Sequence, residues 1–176
     1  MENYEPGELD FVNESVVITD PCDIIPKIER GFADVDAWAK CGYGDHMENI
    51  GFTKFMTRRN GYGDGGWTVV NEKTGKVLGE IWADSGQAGV YLRDEIKKYN
   101  PDANIFFPSI TGGKFGAIIL ENFTGKISWK YRMEHYNWDG REVDSYYLVL
   151  SASGKCGDED TEFSVDFGGK GSDEEE

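Results

Sequence analysis

The sequence predicts a mainly β chain, an α+β arrangement in which an antiparallel β-sandwich or partly closed curved sheet carries two short helices. Three observations lead there. Aromatic residues make up 14% of the chain and are spread along it, a density that suits strands, whose pleated, half-buried surface accommodates rings. Apolar and polar side chains alternate strictly through Ile127-Ser128-Trp129-Lys130-Tyr131-Arg132-Met133, and Phe163, Val165 and Phe167 alternate with Glu162, Ser164 and Asp166, the period of a strand with one wet face. Turn signals rich in Gly, Asn and Asp separate these runs, and helical spacing occurs in only two places.

Taken in order, Ser15-Val16-Val17-Ile18-Thr19 is a β-branched strand stopped at Asp20-Pro21, where proline removes a ladder donor. Ile28, Phe32, Val35 and Trp38 stand three and four residues apart and predict a helix over Ile28 to Cys41. Gly42 to Gly51 reads as a loop and Phe52 to Thr57 as a strand. Asn60-Gly61-Tyr62-Gly63-Asp64-Gly65-Gly66 is the most glycine-dense stretch and predicts a tight turn or a close approach to a ligand. Trp67 to Val70 and Val77 to Ala83 bracket Asn71 to Lys76, with Gly75 suited to the left-handed position of a bulged hairpin. Asp84-Ser85-Gly86-Gln87 turns the chain into a strand over Ala88 to Tyr91, and Leu92, Ile96 and Tyr99 mark a second helix that Asn100-Pro101 ends. The remainder reads as strands: Asn104 to Phe107, Phe115 to Glu121, Lys126 to Met133, Val143 to Ser151 and Thr161 to Phe167. Turns are expected at Asn122-Phe123-Thr124-Gly125 and Trp138-Asp139-Gly140-Arg141. Tyr146-Tyr147-Leu148-Val149-Leu150, apolar on both faces, is expected to be central.

A chain of 176 residues forms one domain and buries roughly 70% of its unfolded surface. The boundaries read as an acidic lead over 1–14, a single β-rich domain over 15–168 and a disordered acidic tail over 169–176. The net charge is −15, but residues 1–15 carry −5 and residues 158–176 carry −8, leaving the stretch between them at −2. Direct nucleic-acid binding is excluded by the missing basic surface. No apolar run is long enough for a membrane span and the start has no secretion signal, so a cytoplasmic protein without membrane contact is expected. Three cysteines, an odd number in a chain of this size, read as reduced thiols. Exposed sheet edges leave room for a homodimer.

Three chemistries are weighed. Cys22 is a nucleophile only with a base beside it, which His46 or His135 would have to supply with Asp20 as orienting carboxylate; as a small buried thiol it needs none of this. Asp20, Asp64 and Asp84 sit at turns, yet no run has calcium-loop or zinc spacing, so no metal and no cofactor is expected. The Gly61 to Gly66 run lacks the lysine and the helix of a phosphate loop. Arg58 and Arg59 stand before it, and with Tyr62, Asp64, Trp67 and Asp84 they form the candidate ligand set: guanidiniums for an anion and rings for stacking.

The blocks Ile18-Thr19-Asp20-Pro21-Cys22-Asp23, Tyr62-Gly63-Asp64-Gly65, Leu78 to Val90 and Glu121 to Ile127 resemble, in order, an uncharacterised family of small phage and bacterial proteins. That family has an Asp-Pro-Cys-aromatic element, a Gly-Asp-Gly turn and an Ala-Asp-Ser/Ala-Gly block. The likeness spans roughly residues 15 to 130. Asp23 replaces the aromatic, and an acidic end replaces one containing glutamine and threonine. The resemblance implies a β-rich fold and a phage or bacterial setting, and it carries no activity.

The function expected is a non-enzymatic binding protein that sequesters a small nucleotide-like signal or blocks a host protein, an anti-defence role. A hydrolase using Cys22 or the aspartates is the alternative from another class. A third is an acidic inhibitor or immunity-type protein that grips a basic partner.

Overall fold

The computed structural model describes residues 4–25, 44–103, 105 and 116–169. It is mainly antiparallel β with two helices among these residues, and its sheets do not close into a barrel. The strands are β1 (Gly7–Thr19), β2 (Phe55–Arg59), β3 (Gly65–Val70), β4 (Val77–Ala83), β5 (Gln87–Leu92), β6 (Ile118–Trp138), β7 (Arg141–Cys156) and β8 (Glu159–Asp166). The helices are α1 (Gly44–Asn49) and α2 (Arg93–Tyr99), with a 3-10 turn at Pro21–Asp23. Six strands form one sheet in the order β2-β5-β1-β6-β7-β8, and β3 and β4 form a second, two-stranded sheet.

Both faces of the large sheet are covered at its centre, which explains the unbroken run Val16-Val17-Ile18. Successive strand residues point to opposite faces. Val16 and Ile18 join a core with Trp67, Val69, Ile81 and Ala83 of the small sheet, while Val17 packs on the other side with Met47, Phe52, Tyr91 and Ile96. Each large side chain buried this way contributes roughly 1.5–3 kcal/mol. Met47 also accounts for α1, where the sequence reads as a loop: its side chain is fully buried and anchors a single short helix that glycine and aspartate disguise.

Other elements also differ from expectation, among them β2, which runs over Phe55–Arg59 instead of Phe52 to Thr57. β1 begins at Gly7 instead of Ser15, and Phe11 is buried in the core. The expected turn at Asn122-Phe123-Thr124-Gly125 is absent, because β6 runs straight through it. Asn122 at φ 53° and Gly125 at φ 159° instead serve an irregularity where the β1–β6 register shifts between Phe11, Glu14 and Val16, the geometry of a bulge. Tyr146 to Leu150 lies on a central strand, but only Leu148 and Leu150 are fully buried, and Tyr147 instead faces the Arg132 guanidinium at 5.1 Å. By contrast Asp139 (φ 54°) and Gly140 (φ 79°) form the two-residue turn expected between β6 and β7, and Gly75 takes φ 80° in the β3–β4 hairpin. The Ile28 to Cys41 helix and most of the Asn104 to Phe107 strand lie outside the described residues.

Described parts of both acidic stretches belong to the large sheet. β1 and β8 are sheet strands, and their carboxylates meet the bases of the middle: Glu8 with Lys126 at 3.1 Å, Glu14 with Lys54 at 2.9 Å, Asp160 with Lys155 at 2.7 Å and Asp166 with Arg132 at 2.7 Å. Phe163, Val165 and Phe167 are meanwhile buried in the core. Each exposed pair adds little stability, but together they spread the charge across the sheet.

Candidate functional site

A groove of about 530 Å³ opens where β2 ends, lined by Arg59, Gly61, Tyr62, Gly63, Asp64, Asp84, Ser85, Gly86 and Gln87. That size suits a small molecule. Two loops form it, and each is held by a buried polar side chain.

Asn60 holds the first loop. It is fully buried, its Oδ1 accepts from the backbone N–H of Tyr62 (2.7 Å) and Gly63 (2.8 Å), and its Nδ2 donates to the Gly63 carbonyl (2.9 Å). Its own N–H reaches the Gly86 carbonyl at 2.9 Å, tying this loop to the second, and its carbonyl accepts from Leu148 N of β7 at 3.1 Å. Gly61 is required here: at φ +87°, a Cβ would stand 2.0 Å from the Tyr146 carbonyl oxygen. Gly63 has open space on that side. The Tyr62 and Gly63 N–H groups are thereby committed to Asn60 and withheld from a phosphate.

Asp20 holds the second loop. Its carboxylate is fully buried and accepts four hydrogen bonds, from Cys22 N (2.9 Å), Asp84 N (2.9 Å), Ser85 N (2.8 Å) and Ser85 Oγ (2.6 Å). A buried carboxylate persists only with such compensation. Its work is to clamp the end of β1 to the β4–β5 turn.

The candidate ligand residues divide. Arg59, Tyr62, Asp64 and Asp84 line the groove. Arg58 and Trp67 turn inward: the Arg58 guanidinium lies 5.9 Å from the Trp129 ring centre, and Trp67 is 3% exposed, edge-on to Phe167 at 4.8 Å. Strand alternation causes the split between the two arginines, since adjacent residues of β2 face opposite sides. Trp67 still contributes indirectly, because the Tyr62 ring stands edge-on to it at 5.6 Å and is held at the mouth of the groove. Gln87, opposite Arg59 in the β2–β5 register, is a lining residue that sequence reasoning missed. It reads there as the last residue of a turn, and only the pairing register places it beside Arg59.

Of the alternative catalytic set, the described side chains are those of Cys22, Asp20 and His135. Cys22 is buried, and its Sγ lies within 4.8 Å of carboxylate oxygens of Asp23 and Asp84. A nucleophilic cysteine needs a basic or cationic neighbour, and these are carboxylates. His46 belongs to α1, and its side chain falls outside the described residues. His135 sits far along the β6–β7 ribbon, 54% exposed, 2.6 Å from Asp144 and 3.4 Å from Glu142. Asp20 is saturated by its loop donors. Cys22 and Cys156 are free thiols, and burial pushes the Cys156 thiol up from its ordinary value. No helix among the described residues is long and apolar enough to cross a membrane. Compared with known protein families, with curated proteins and with solved structures, the chain matches none.

Proposed function

We propose that this chain is a non-enzymatic binding protein whose working surface is the groove between the Asn60–Asp64 loop and the Asp84–Gln87 turn, and that its ligand is a small nucleotide-like molecule. One observation carries the reading: a guanidinium (Arg59), an exposed ring (Tyr62) and two carboxylates (Asp64 and Asp84) converge on one recess of suitable size. The guanidinium suits a phosphate, the ring suits a base, and the carboxylates accept from sugar hydroxyls or amino groups. A thermal-shift screen of cyclic and linear nucleotides is the test. The reading expects at least one stabiliser whose effect is lost in Tyr62→Ala and Arg59→Ala, and a null across the panel removes it.

A second reading, that the chain blocks a host protein, is favoured by the β6–β7 ribbon. Beyond its pairing with β1 and β8, this ribbon exposes Trp138 (63%), Met133 (52%) and Tyr136 (39%). Ring-rich exposed surface is the composition of protein contacts. It expects Trp138→Ala to abolish inhibition of the host function in cells while nucleotide binding persists; inhibition that survives the substitution removes it. The acidic-inhibitor reading has less support, because several of the terminal carboxylates are already paired within the sheet.

A further inference from the structure

We infer that Gln87 sets the specificity of the groove, and that the ligand presents to it the edge of a nucleobase, a hydrogen-bond donor beside an acceptor in one plane. This rests on the nucleotide-type reading of the groove and deepens it. Gln87 lines the groove, and its Oε1 is buried without a hydrogen-bond partner.

Among the described residues the two fully buried asparagines are paired. The carboxamides of Asn60 and Asn71 each make three hydrogen bonds. A buried amide oxygen with no partner is costly. The Gln87 carboxamide lies on a wall of the groove, opposite Arg59 in the strand register.

A planar carboxamide offers one donor beside one acceptor, and adenine's amino group and adjacent ring nitrogen answer both at once. The remaining lining chemistry fits the rest of such a molecule. The Tyr62 ring is 38% exposed and gives a stacking surface, Asp64 and Asp84 accept from sugar hydroxyls, and Arg59 takes a phosphate.

The test is calorimetric titration of adenosine monophosphate and of ribose 5-phosphate into the full chain and into Gln87→Leu and Gln87→Glu, with thermal unfolding to confirm that each is folded. The wild type should bind the nucleotide more tightly than the sugar phosphate. Gln87→Leu should weaken the nucleotide about tenfold and leave the sugar phosphate unchanged. Gln87→Glu, an acceptor only, should shift preference toward guanosine monophosphate, whose base edge offers two adjacent donors. Nucleotide binding with base preference unaltered in both variants overturns the role of Gln87 and leaves the groove reading standing. Failure of any nucleotide to bind the folded wild type overturns both.

Discussion

Asn60 and Asn71 are both buried and both hold a turn through a carboxamide that makes three hydrogen bonds, but they spend these on different partners. Asn60 spends all three side-chain bonds within its own loop, on Tyr62 and Gly63. Asn71 divides its bonds, accepting from Lys73 N in its own turn at 3.0 Å and from Glu162 N of β8 at 3.2 Å, and donating to the Asp160 carbonyl at 2.9 Å. The first arrangement makes a loop that is rigid in itself and leaves its outer side open. The second fastens the β3–β4 hairpin to the edge of the large sheet and leaves nothing open. The difference separates a part of the molecule built to present a surface from a part built to hold layers together.

The largest effect belongs to the clamp behind the groove. Asp20→Ala strands four donors, three backbone N–H groups and the Ser85 hydroxyl, around the end of β1, and should cost about 3 kcal/mol or more in urea unfolding. A loss near that of an ordinary surface substitution would mean the carboxylate does not organise the turn. Asn71→Ala leaves Glu162 N and the Asp160 carbonyl without their partner at a layer contact, and should cost about 2–3 kcal/mol with ligand binding unchanged. Asn60→Ala frees N–H groups on a loop that water reaches, so its cost should be smaller, about 1–2 kcal/mol, while ligand binding falls sharply. Equal stability losses, or binding lost in Asn71→Ala, would erase the distinction.

The smallest effect is a surface ion pair on β1. The Lys54 ammonium, hydrogen-bonded to Glu14 at 2.9 Å, holds that carboxyl below its ordinary value. Because the folded value lies below the unfolded one, the pair stabilises above the ordinary carboxyl value, and the contribution disappears as pH falls through the folded value. Lys54→Met should therefore cost under about 1 kcal/mol at neutral pH and nothing in strong acid. A difference between the two proteins that does not narrow with acidification would show that the loss comes from packing on Phe11, over which Lys54 lies at 4.9 Å.

Local signals in the sequence carry the architecture where one residue has one use. Gly75 and Asp139-Gly140 mark hairpins because their left-handed backbone has no other employment there. Asn122 and Gly125 carry the same signal and mean something else, since left-handed residues serve bulges as well as turns, and the choice depends on Phe123 being buried and on the matching irregularity around Asn13 (φ 51°) in β1. The groove is half legible for a related reason. Arg59, Tyr62, Asp64 and Asp84 flank glycine turns that their composition announces. Nothing local says that Arg58 must face away from Arg59, that Trp67 fills the core, or that Gln87 stands opposite Arg59, because strand register is a property of the assembled sheet.

The central claim is that one face of one loop pair receives a small ligand while the other clamped loop does not. Amide chemical-shift mapping during titration with adenosine monophosphate measures this directly. The account predicts shifts concentrated at Arg59 to Asp64 and Asp84 to Gln87, with Asn71 to Lys76 unmoved. Shifts centred on the β6–β7 ribbon, or none at saturating nucleotide, would contradict it.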